Sequence, residues 1–372
     1  MWEKVKWRDV LDIYNGKNQS KVVNPKGRYP IYGSGGLMGY ADDYLCPADT
    51  TIIGRKGSIN NPIYVKTEFW NVDTAFGLVS KESLWPKYLY YFCKTFNFLK
   101  LDKSTTLPSL TKSDLLEIEI PLPPLLIQEK IADILDKADE LRRKDKDLQA
   151  KYDKLAQAIF IDMFGDPVRN EKGWEVKRLN ALCLKIGSGS TPSGGNESYK
   201  SEGISLIRSL NIHQNKFKYK DLAFIDDKQA DKLKNVIVEE NDVLFNITGA
   251  SVCRTTVVPS NVLPARVNQH VAILRFDKQH VVPFFAVRLL SNSTMNRHLY
   301  AIATQGGATR EAITKEQLQK LEIIVPPIHL QEEFAKKIEI INQLKAQINV
   351  EKSEQLFQAL LQKAFKGELV NK

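Results

Sequence analysis

The sequence predicts a mixed α+β protein in which two α/β domains, in tandem repeat, are separated by two long α-helices forming an antiparallel coiled coil. Three observations support this fold class: an internal repeat, a double proline that closes each copy, and a long apolar seam after each double proline. A chain of 372 residues also exceeds one ordinary domain, so more than one folded unit is expected.

The repeat, with a period of about 170 to 200 residues, is clearest where each copy opens and closes. Each copy opens on a Trp-Glu phrase and closes on a gap-free match that runs through its double proline. The matched phrases are residues 2–6 with 174–178, 110–124 with 313–327, and Gln128-Glu129 with Gln331-Glu332. Chance does not produce a match of this length with both prolines in register, so the two copies are expected to share one fold.

The end of each copy has a predictable local structure. Thr111 and Thr314 are expected to be helix N-caps, each starting one or two helical turns. The apolar runs 118–122 and 321–325 are expected to form short strands. The double prolines then stop each strand and favour a helix start beyond them.

A long helix is expected after each double proline. Apolar residues from Ile131 to Ile159, and again from Leu330 to Phe365, keep the spacing of three and four that is typical of a coiled-coil seam. A helix of about 35 residues would be about 50 Å long. Neither helix has another long seam to rest on, so we expect them to pair with each other, although packing of each on its own domain is an alternative. The predicted segments are a first domain, a central helix, a second domain and a distal helix, at 1–126, 127–165, 166–327 and 328–372.

Composition excludes several classes of protein. No apolar run approaches the length of a membrane span, and the N-terminus has no export signal, so a cytoplasmic protein without membrane association is expected. The four cysteines and five histidines are scattered, which indicates neither a zinc site nor a disulfide framework. A net charge of +9 favours a polyanionic partner, but only weakly.

The two copies diverge between their matched ends. The first has a Gly/Ser loop at 29–40 where the second has one at 187–195. Each copy then has a strand that runs into a polar turn, at 49–57 and 241–249. The copies are therefore expected to share a scaffold and to differ in their loops.

These features resemble one family, the specificity subunits of type I restriction-modification enzymes. The tandem copies, the opening Trp-Glu, the stretch 122–131 and its partner 325–334 carry the resemblance, which covers nearly the whole chain. Residues 32–40, 53–57 and 189–192 are similar to pieces of the family's target-recognition domains. The resemblance implies two target-recognition domains, each binding half of a split, asymmetric double-stranded DNA site, with the helices setting the spacer.

The resemblance also implies partners and the absence of catalysis. Two methyltransferase subunits would dock on the helices, and restriction subunits would join that core. This chain would be a non-catalytic subunit that binds no cofactor, with S-adenosylmethionine, ATP and magnesium held by the partner subunits.

Two other functions stay open on the residues alone. Asn61-Pro62-Ile63-Tyr64 imitates the motif with which adenine methyltransferases hold a flipped base, but it lacks the second proline and no glycine-rich cofactor loop precedes it. A standalone methyltransferase or nuclease is therefore the weaker alternative. The other is a tandem protein-interaction scaffold that binds no DNA.

DNA recognition requires cations for phosphates and hydrogen-bonding side chains for base edges, carried on loops that fit a groove. Arg55 and Arg208 stand out, because arginine can bind guanine O6 and N7 together. The DNA-binding candidates of the first copy are Tyr32, Ser34, Arg55, Lys56, Ser58, Lys103, Thr105 and Thr106. Those of the second copy are Ser188, Ser190, Thr191, Arg208, Asn211, Thr248, Arg254, Thr309 and Arg310.

Overall fold

The computed structural model of the chain describes residues 2–104, 107–192, 194–305 and 311–370. Two compact units make up the fold: unit 1 comprises Met1–Leu148 and Asn349–Lys372, and unit 2 comprises Gln149–Ile348. Each unit therefore combines one copy of the repeat with part of the central helix and part of the distal segment. Within the described residues, no helix is both long and apolar enough to cross a membrane.

Unit 1 is built around a four-stranded antiparallel sheet and a smaller three-stranded sheet. Its strands are Lys4–Lys6 (β1), Leu11–Asn15 (β2), Tyr29–Gly33 (β3), Gly36–Ala41 (β4), Thr50–Gly54 (β5), Ile63–Val65 (β6), Trp70–Asn71 (β7), Ala75–Ser80 (β8) and Glu119–Pro121 (β9). The larger sheet has the order β2-β8-β5-β6 and the smaller one β4-β3-β7, with β3 and β7 parallel. β1 pairs with β9, so the opening and closing phrases of the copy lie side by side.

Unit 2 repeats this plan, but its second sheet has four strands. Its strands are Val176–Arg178 (β10), Cys183–Ser188 (β11), Ile204–Ile207 (β12), Ile212–His213 (β13), Lys216–Phe217 (β14), Ala223–Ile225 (β15), Ile237–Val238 (β16), Val243–Asn246 (β17), Thr255–Val257 (β18), Ala265–Val267 (β19), Val271–Phe276 (β20) and Glu322–Ile324 (β21). The sheets have the orders β11-β20-β17-β18 and β15-β12-β19-β16, and β10 pairs with β21 as β1 does with β9.

The helices follow the expected repeat. They are Trp7–Val10 (α1), Pro86–Thr95 (α2), Lys112–Leu116 (α3), Leu125–Phe164 (α4), Leu179–Leu182 (α5), Asp227–Asp231 (α6), Pro283–Leu290 (α7), Ser293–Thr304 (α8), Lys315–Lys320 (α9), Ile328–Gln347 (α10) and Val350–Lys366 (α11). The predicted caps are confirmed, since Thr111 accepts the Asp114 N–H at 3.2 Å and Thr314 accepts the Gln317 N–H at 3.1 Å. The predicted fold class, a mixed α+β chain with two tandem domains and long helices, is confirmed, and α4 alone has 40 residues.

The distal segment forms two helices where the seam predicts one. α10 ends at Gln347, and Asn349 caps α11 by accepting the Lys352 N–H at 2.8 Å. Asparagine is a strong N-cap residue, because its short side chain binds the free N–H groups of the first turn. The thinning of the apolar series after Ile348 coincides with this break.

In unit 1, α11 covers the first part of α4 and the aromatic face of α2. Phe357, Leu361 and Ala364 are fully buried in the core of this unit. The guanidinium of Arg142 lies 4.5 Å from the Phe357 ring centroid, and Glu354 accepts hydrogen bonds from Arg142 and Lys146. The hydrogen bond from Lys146, with those from Gln358 and Arg142, lowers the pKa of Glu354 to about 2. Packing and charge together fix α11 to this unit.

In unit 2, α10 packs against the second part of α4. The Phe160 ring stacks on Phe285 at 5.8 Å and meets Phe334 edge-on at 5.6 Å. Nearer the start of α4, Asp153 accepts a hydrogen bond from Lys345 at 2.5 Å. Residues later in α4 thus contact residues earlier in α10, so the two helices run antiparallel, as the seam predicts.

A buried glutamine fixes each double proline to the helix beside it. In unit 1, Gln128 accepts the Trp85 N–H at 2.8 Å and donates to the carbonyls of Ser83 and Pro123 at 3.0 and 2.7 Å. In unit 2, Gln331 makes the same three bonds, accepting from Val282 and donating to His280 and Pro326. We call this pair the glutamine clamps.

Candidate nucleic-acid interface

Four chain segments of unit 1 meet where β5 ends. The N–H groups of Arg55 and Lys56 donate to the Thr74 carbonyl at 2.8 and 3.2 Å, and Leu110 donates back to the Arg55 carbonyl at 2.9 Å. The Gly57 N–H donates to the Pro108 carbonyl at 3.0 Å, and the φ of Gly57 is +79°. This positive φ explains the glycine, because residues with a side chain rarely adopt it. We name residues 32–34, 55–58, 72–74 and 107–110 the Gly57 corner.

Unit 2 repeats three of these bonds where β17 ends. Ile247 donates to the His270 carbonyl at 3.0 Å, and Ile313 donates to the Ile247 carbonyl at 2.8 Å. The Gly249 N–H donates to the Glu311 carbonyl at 2.9 Å, with a φ of +72° at Gly249. Residues 207–209, 247–251, 268–270 and 311–313 are the Gly249 corner.

The two corners share their backbone but not their side chains. Arg55, Lys56 and Ser58, all exposed, occupy the turn of the Gly57 corner, where the Gly249 corner has Ile247, Thr248 and Ala250. The divergence of the loops that the sequence shows is therefore concentrated on one repeated structural element.

The structure brings most candidates of the first copy to the Gly57 corner. Arg55 is exposed, its guanidinium lies 5.7 Å from the Phe76 ring centroid, and within the described residues it forms no ion pair. Ser34 is next to the turn, with its Oγ 3.9 Å from the position that a Cβ on Gly57 would take. Tyr32 is half-buried, with its ring edge-on to Phe69 at 5.7 Å, so it supports the corner more than it faces solvent.

Lys103 lies on the segment that leads to the Gly57 corner. Its ammonium is bound to Asp114 at 3.0 Å, although 78% of the side chain is exposed. The candidates Thr105, Thr106, Thr309 and Arg310 lie outside the described residues.

The second copy places its candidates around the Gly249 corner with differing exposure. Ser188 and Ser190 are exposed at the end of β11, and the Thr191 hydroxyl donates to the Gln269 side-chain carbonyl. Arg208 is half-buried; its guanidinium lies 5.1 Å from the Tyr199 ring centroid and donates to the Asp221 carbonyl at 2.6 Å.

Asn211 does not face solvent. Its side chain is fully buried, its oxygen accepts the Arg208 N–H at 3.0 Å, and its amide donates to the carbonyls of Lys218 and Lys220 at 3.0 and 3.4 Å. The side chain is thus buried and bonded inside the protein, so it does not present its amide to a base edge. The expectation that Asn211 contacts DNA directly is therefore corrected. Asn211 instead positions the loop that follows Arg208.

A cleft of about 980 Å³ opens between the Gly249 corner and the β13–β14 hairpin. Its lining residues are Ser209, Leu210, His213, Lys218, Lys220, Asp221, Thr248, Gly249, Ala250, Ser251, Arg254, His270, Glu311 and Ala312. Burial, and then the charges of Lys218, Arg254 and Lys216, hold the pKa of His213 below its usual 6.5. The lining carries the cations Lys218, Lys220 and Arg254 against the acidic Asp221 and Glu311, so the cleft has a small positive excess. Thr248 and Arg254 are both part of it.

Several residues of this cleft were not predicted. Lys218 and Lys220 belong to the run Lys216-Phe217-Lys218-Tyr219-Lys220, whose alternation of cations and aromatics is a readable signal of a strand with a basic face. His213 and His270, which also line the cleft, had no such local signal.

Burial disfavours the reactive thiolate form of the cysteines. Burial raises the pKa of the Cys46, Cys183 and Cys253 thiols to about 12 and also raises that of Cys93. Tyr64, the last residue of the methyltransferase-like motif, donates its hydroxyl to Asp49 at 2.7 Å. Within the described residues, no three or more His, Cys, Asp or Glu side chains are grouped to hold a metal ion.

A family model described as "Type I restriction modification DNA specificity domain" matches residues 1–150 and 171–358. Among known proteins, the MjaIX specificity subunit of a type I restriction enzyme from Methanocaldococcus jannaschii is 28% identical over 346 residues, covering 85% of this chain and 75% of that protein. The EcoBI specificity subunit from Escherichia coli is 22% identical over 420 residues, covering 99% and 86% of the two chains.

Solved structures show the same fold. The crystal structure of a type I restriction-modification S subunit from M. genitalium matches with a TM-score of 0.67 at 17% identity, covering 98% of this chain and 96% of that one. A second match, from a study of complex assembly in a type I system, has a TM-score of 0.54 at 19% identity, with 99% and 98% coverage.

Proposed function

This chain belongs to the type I restriction-modification DNA specificity family, and from that premise we propose that each of its units recognises one half of a bipartite, asymmetric site on double-stranded DNA. The observation that carries the proposal is the repeated corner. A common backbone presents two different sets of side chains, as two half-sites of different sequence require. The helix α4, continuous between the repeat copies, supports the further proposal that the helices set the spacer.

The chemistry of each corner suits DNA. In unit 1, Arg55 offers two parallel N–H donors that suit the O6 and N7 of guanine, and Lys56 offers a flexible charge that suits a phosphate. Close by, glycine at position 57 lets the backbone approach the duplex. In unit 2, Lys218, Lys220 and Arg254 make the cleft attractive to phosphates, while Thr248 supplies a hydroxyl for a base edge.

We propose that the chain is a non-catalytic subunit that works with two methyltransferase subunits, and with restriction subunits in the full complex. Two copies of one partner need two equivalent docking surfaces. Three exposed glutamates recur at matching positions of the repeat, which supports such a pair of surfaces: Glu3 with Glu175, Glu119 with Glu322, and Glu129 with Glu332. S-adenosylmethionine, ATP and magnesium would then be bound by the partner subunits. The proposed complex does not associate with a membrane.

DNA affinity measured against salt concentration, with the chain assembled with its methyltransferase partner, tests the proposal. Phosphate contacts release counterions, so the logarithm of the affinity is expected to fall steeply as salt rises. Lys56→Gln and Lys218→Gln are each expected to reduce the magnitude of that slope by about 1. Lys278→Gln is a matched control, because Lys278 is an exposed lysine in the turn after β20, at the end of that strand opposite the Gly249 corner.

Salt-independent binding, or no binding by the complex, would contradict DNA recognition and favour a protein-interaction scaffold. Cofactor-dependent methylation by the purified chain alone would favour the standalone methyltransferase.

A further inference from the structure

Gln269 lies in the short turn between β19 and β20, within the Gly249 corner. Its side chain is exposed, whereas its neighbours Asn268 and His270 are buried and half-buried. Because His270 lines the positive cleft and Gln269 is bonded to it, Gln269 stands on the rim of the cleft. The corresponding position of the Gly57 corner is Asp73, so this exposed site differs in chemistry between the units.

A row of hydrogen bonds holds the Gln269 amide. The Thr191 hydroxyl donates to its Oε1, and its Nε2 lies 3.3 Å from the Nε2 of His270. The Nδ1 of His270 in turn lies 2.6 Å from the Thr248 hydroxyl oxygen. Three segments that are distant in sequence, carrying Thr191, Thr248 and Gln269, are tied together in this way.

One placement of the hydrogen atoms allows all of these hydrogen bonds to form together. In the tautomer of His270 that carries its hydrogen on Nδ1, the Nε2 accepts from the amide N–H of Gln269. The proton on Nδ1 is donated to Thr248, whose own hydroxyl hydrogen stays free. The amide of Gln269 is thus oriented before any ligand arrives, which lowers the entropy cost of binding.

The held amide keeps half of its hydrogen-bonding capacity. Oε1 has two lone pairs and Nε2 has two hydrogens, and the internal bonds use one of each. What remains is one acceptor and one donor on a planar group whose side chain is exposed. Adenine presents the complementary pair in the major groove, the N6 amino donor and the N7 acceptor, and glutamine is a side chain that binds both together.

We propose that Gln269 is a specificity-determining residue that recognises one adenine in the half-site bound by unit 2, with Thr191 and His270 as its positioning residues. This inference rests on the proposed function. Beyond that function, it names the residue that recognises a base, the base itself and the two residues that orient the amide.

The test uses the full chain in complex with its cognate methyltransferase. Binding is measured by competition with duplexes in which one base pair of the methylated motif is changed at a time. Gln269→Ala is expected to lose discrimination at a single A·T pair, by roughly 5- to 150-fold, and to keep it at all other positions. Gln269→Glu is expected to shift preference at that pair towards C·G, because a carboxylate accepts from the cytosine amino group.

Positioning is tested separately. Thr191→Val keeps the glutamine and removes the bond to its oxygen, so a partial loss at the same base pair is expected. Gln279→Ala is the matched control: Gln279 is an exposed glutamine beyond the opposite end of β20, and its removal is expected to leave every position unchanged. Unchanged thermal unfolding of each variant shows that the fold is intact.

Two results would overturn the inference while leaving DNA recognition standing. One is an unchanged preference at every base pair in both Gln269→Ala and Gln269→Glu; the other is a uniform loss across all base pairs. A half-site that contains no adenine would also overturn it. Failure of the unaltered complex to bind DNA would instead contradict the proposed function itself.

Discussion

Unit 1 is expected to unfold, and unit 2 to stay folded, when the chain is ended after Ile348. This truncation removes α11, which contributes Phe357, Leu361 and Ala364 to the core of unit 1. It also leaves Arg142 without Glu354 and without the ring of Phe357. Losing one large buried side chain costs about 2 to 5 kcal/mol, so losing several exceeds the stability of about 5 to 15 kcal/mol that a domain has.

Hydrogen exchange followed by mass spectrometry measures the two units separately. After truncation, the amides of β2, β5 and β8 are expected to lose protection, and those of β11, β17 and β20 to keep it. The matched point variants are Phe357→Ala and Phe334→Ala, each removing a fully buried phenylalanine from one unit. Each is expected to cost about 3 to 5 kcal/mol in its own unit. Protection of unit 1 that survives the truncation would show that α11 is not part of its core.

Gln331→Ala is expected to lower the free energy of unfolding of unit 2 by about 2 to 5 kcal/mol. The variant leaves the Val282 N–H and the carbonyls of His280 and Pro326 without their partner, and buried polar groups without partners are costly. Gln128→Ala is expected to have the same effect on unit 1, because the bonds are the same.

Denaturant unfolding, with hydrogen exchange to assign the affected unit, measures this effect. Gln157→Ala is the matched control: it removes an exposed glutamine of α4 and is expected to change stability by about 0.5 kcal/mol or less. Equal, small effects of Gln331→Ala and Gln157→Ala would mean that the clamps carry little of the stability.

The sequence predicted those features that local chemistry determines. The threonine caps at 111 and 314, the strands before the double prolines and the helices after them each follow from a short run of residues. The repeat also paired the segments 49–57 and 241–249, which the structure shows to contain equivalent turns. Asn349 is a helix cap between two apolar stretches, so the break in the distal helix was readable but was obscured by the continuing seam.

Tertiary contacts decided the rest. Asn211 is a polar residue in a polar stretch, and only the hairpin that brings Lys218 and Lys220 across it shows that its amide is used internally. Gln269 is singled out by its hydrogen bonds to Thr191 and His270, and Thr191 lies 78 residues away in the sequence. No periodicity in a single sequence reports such a contact.

Mapping the methylated motif of the complex tests the central claim, that the two units recognise separate halves of one DNA site. The measurement compares the unaltered chain with a double variant in each corner, Arg55→Ala with Lys56→Ala and Thr248→Ala with Arg254→Ala. We expect a motif of two specified halves around an unspecified spacer, with the first double variant relaxing one half only and the second relaxing the other. A single continuous motif, or relaxation of the same half by both variants, would contradict it.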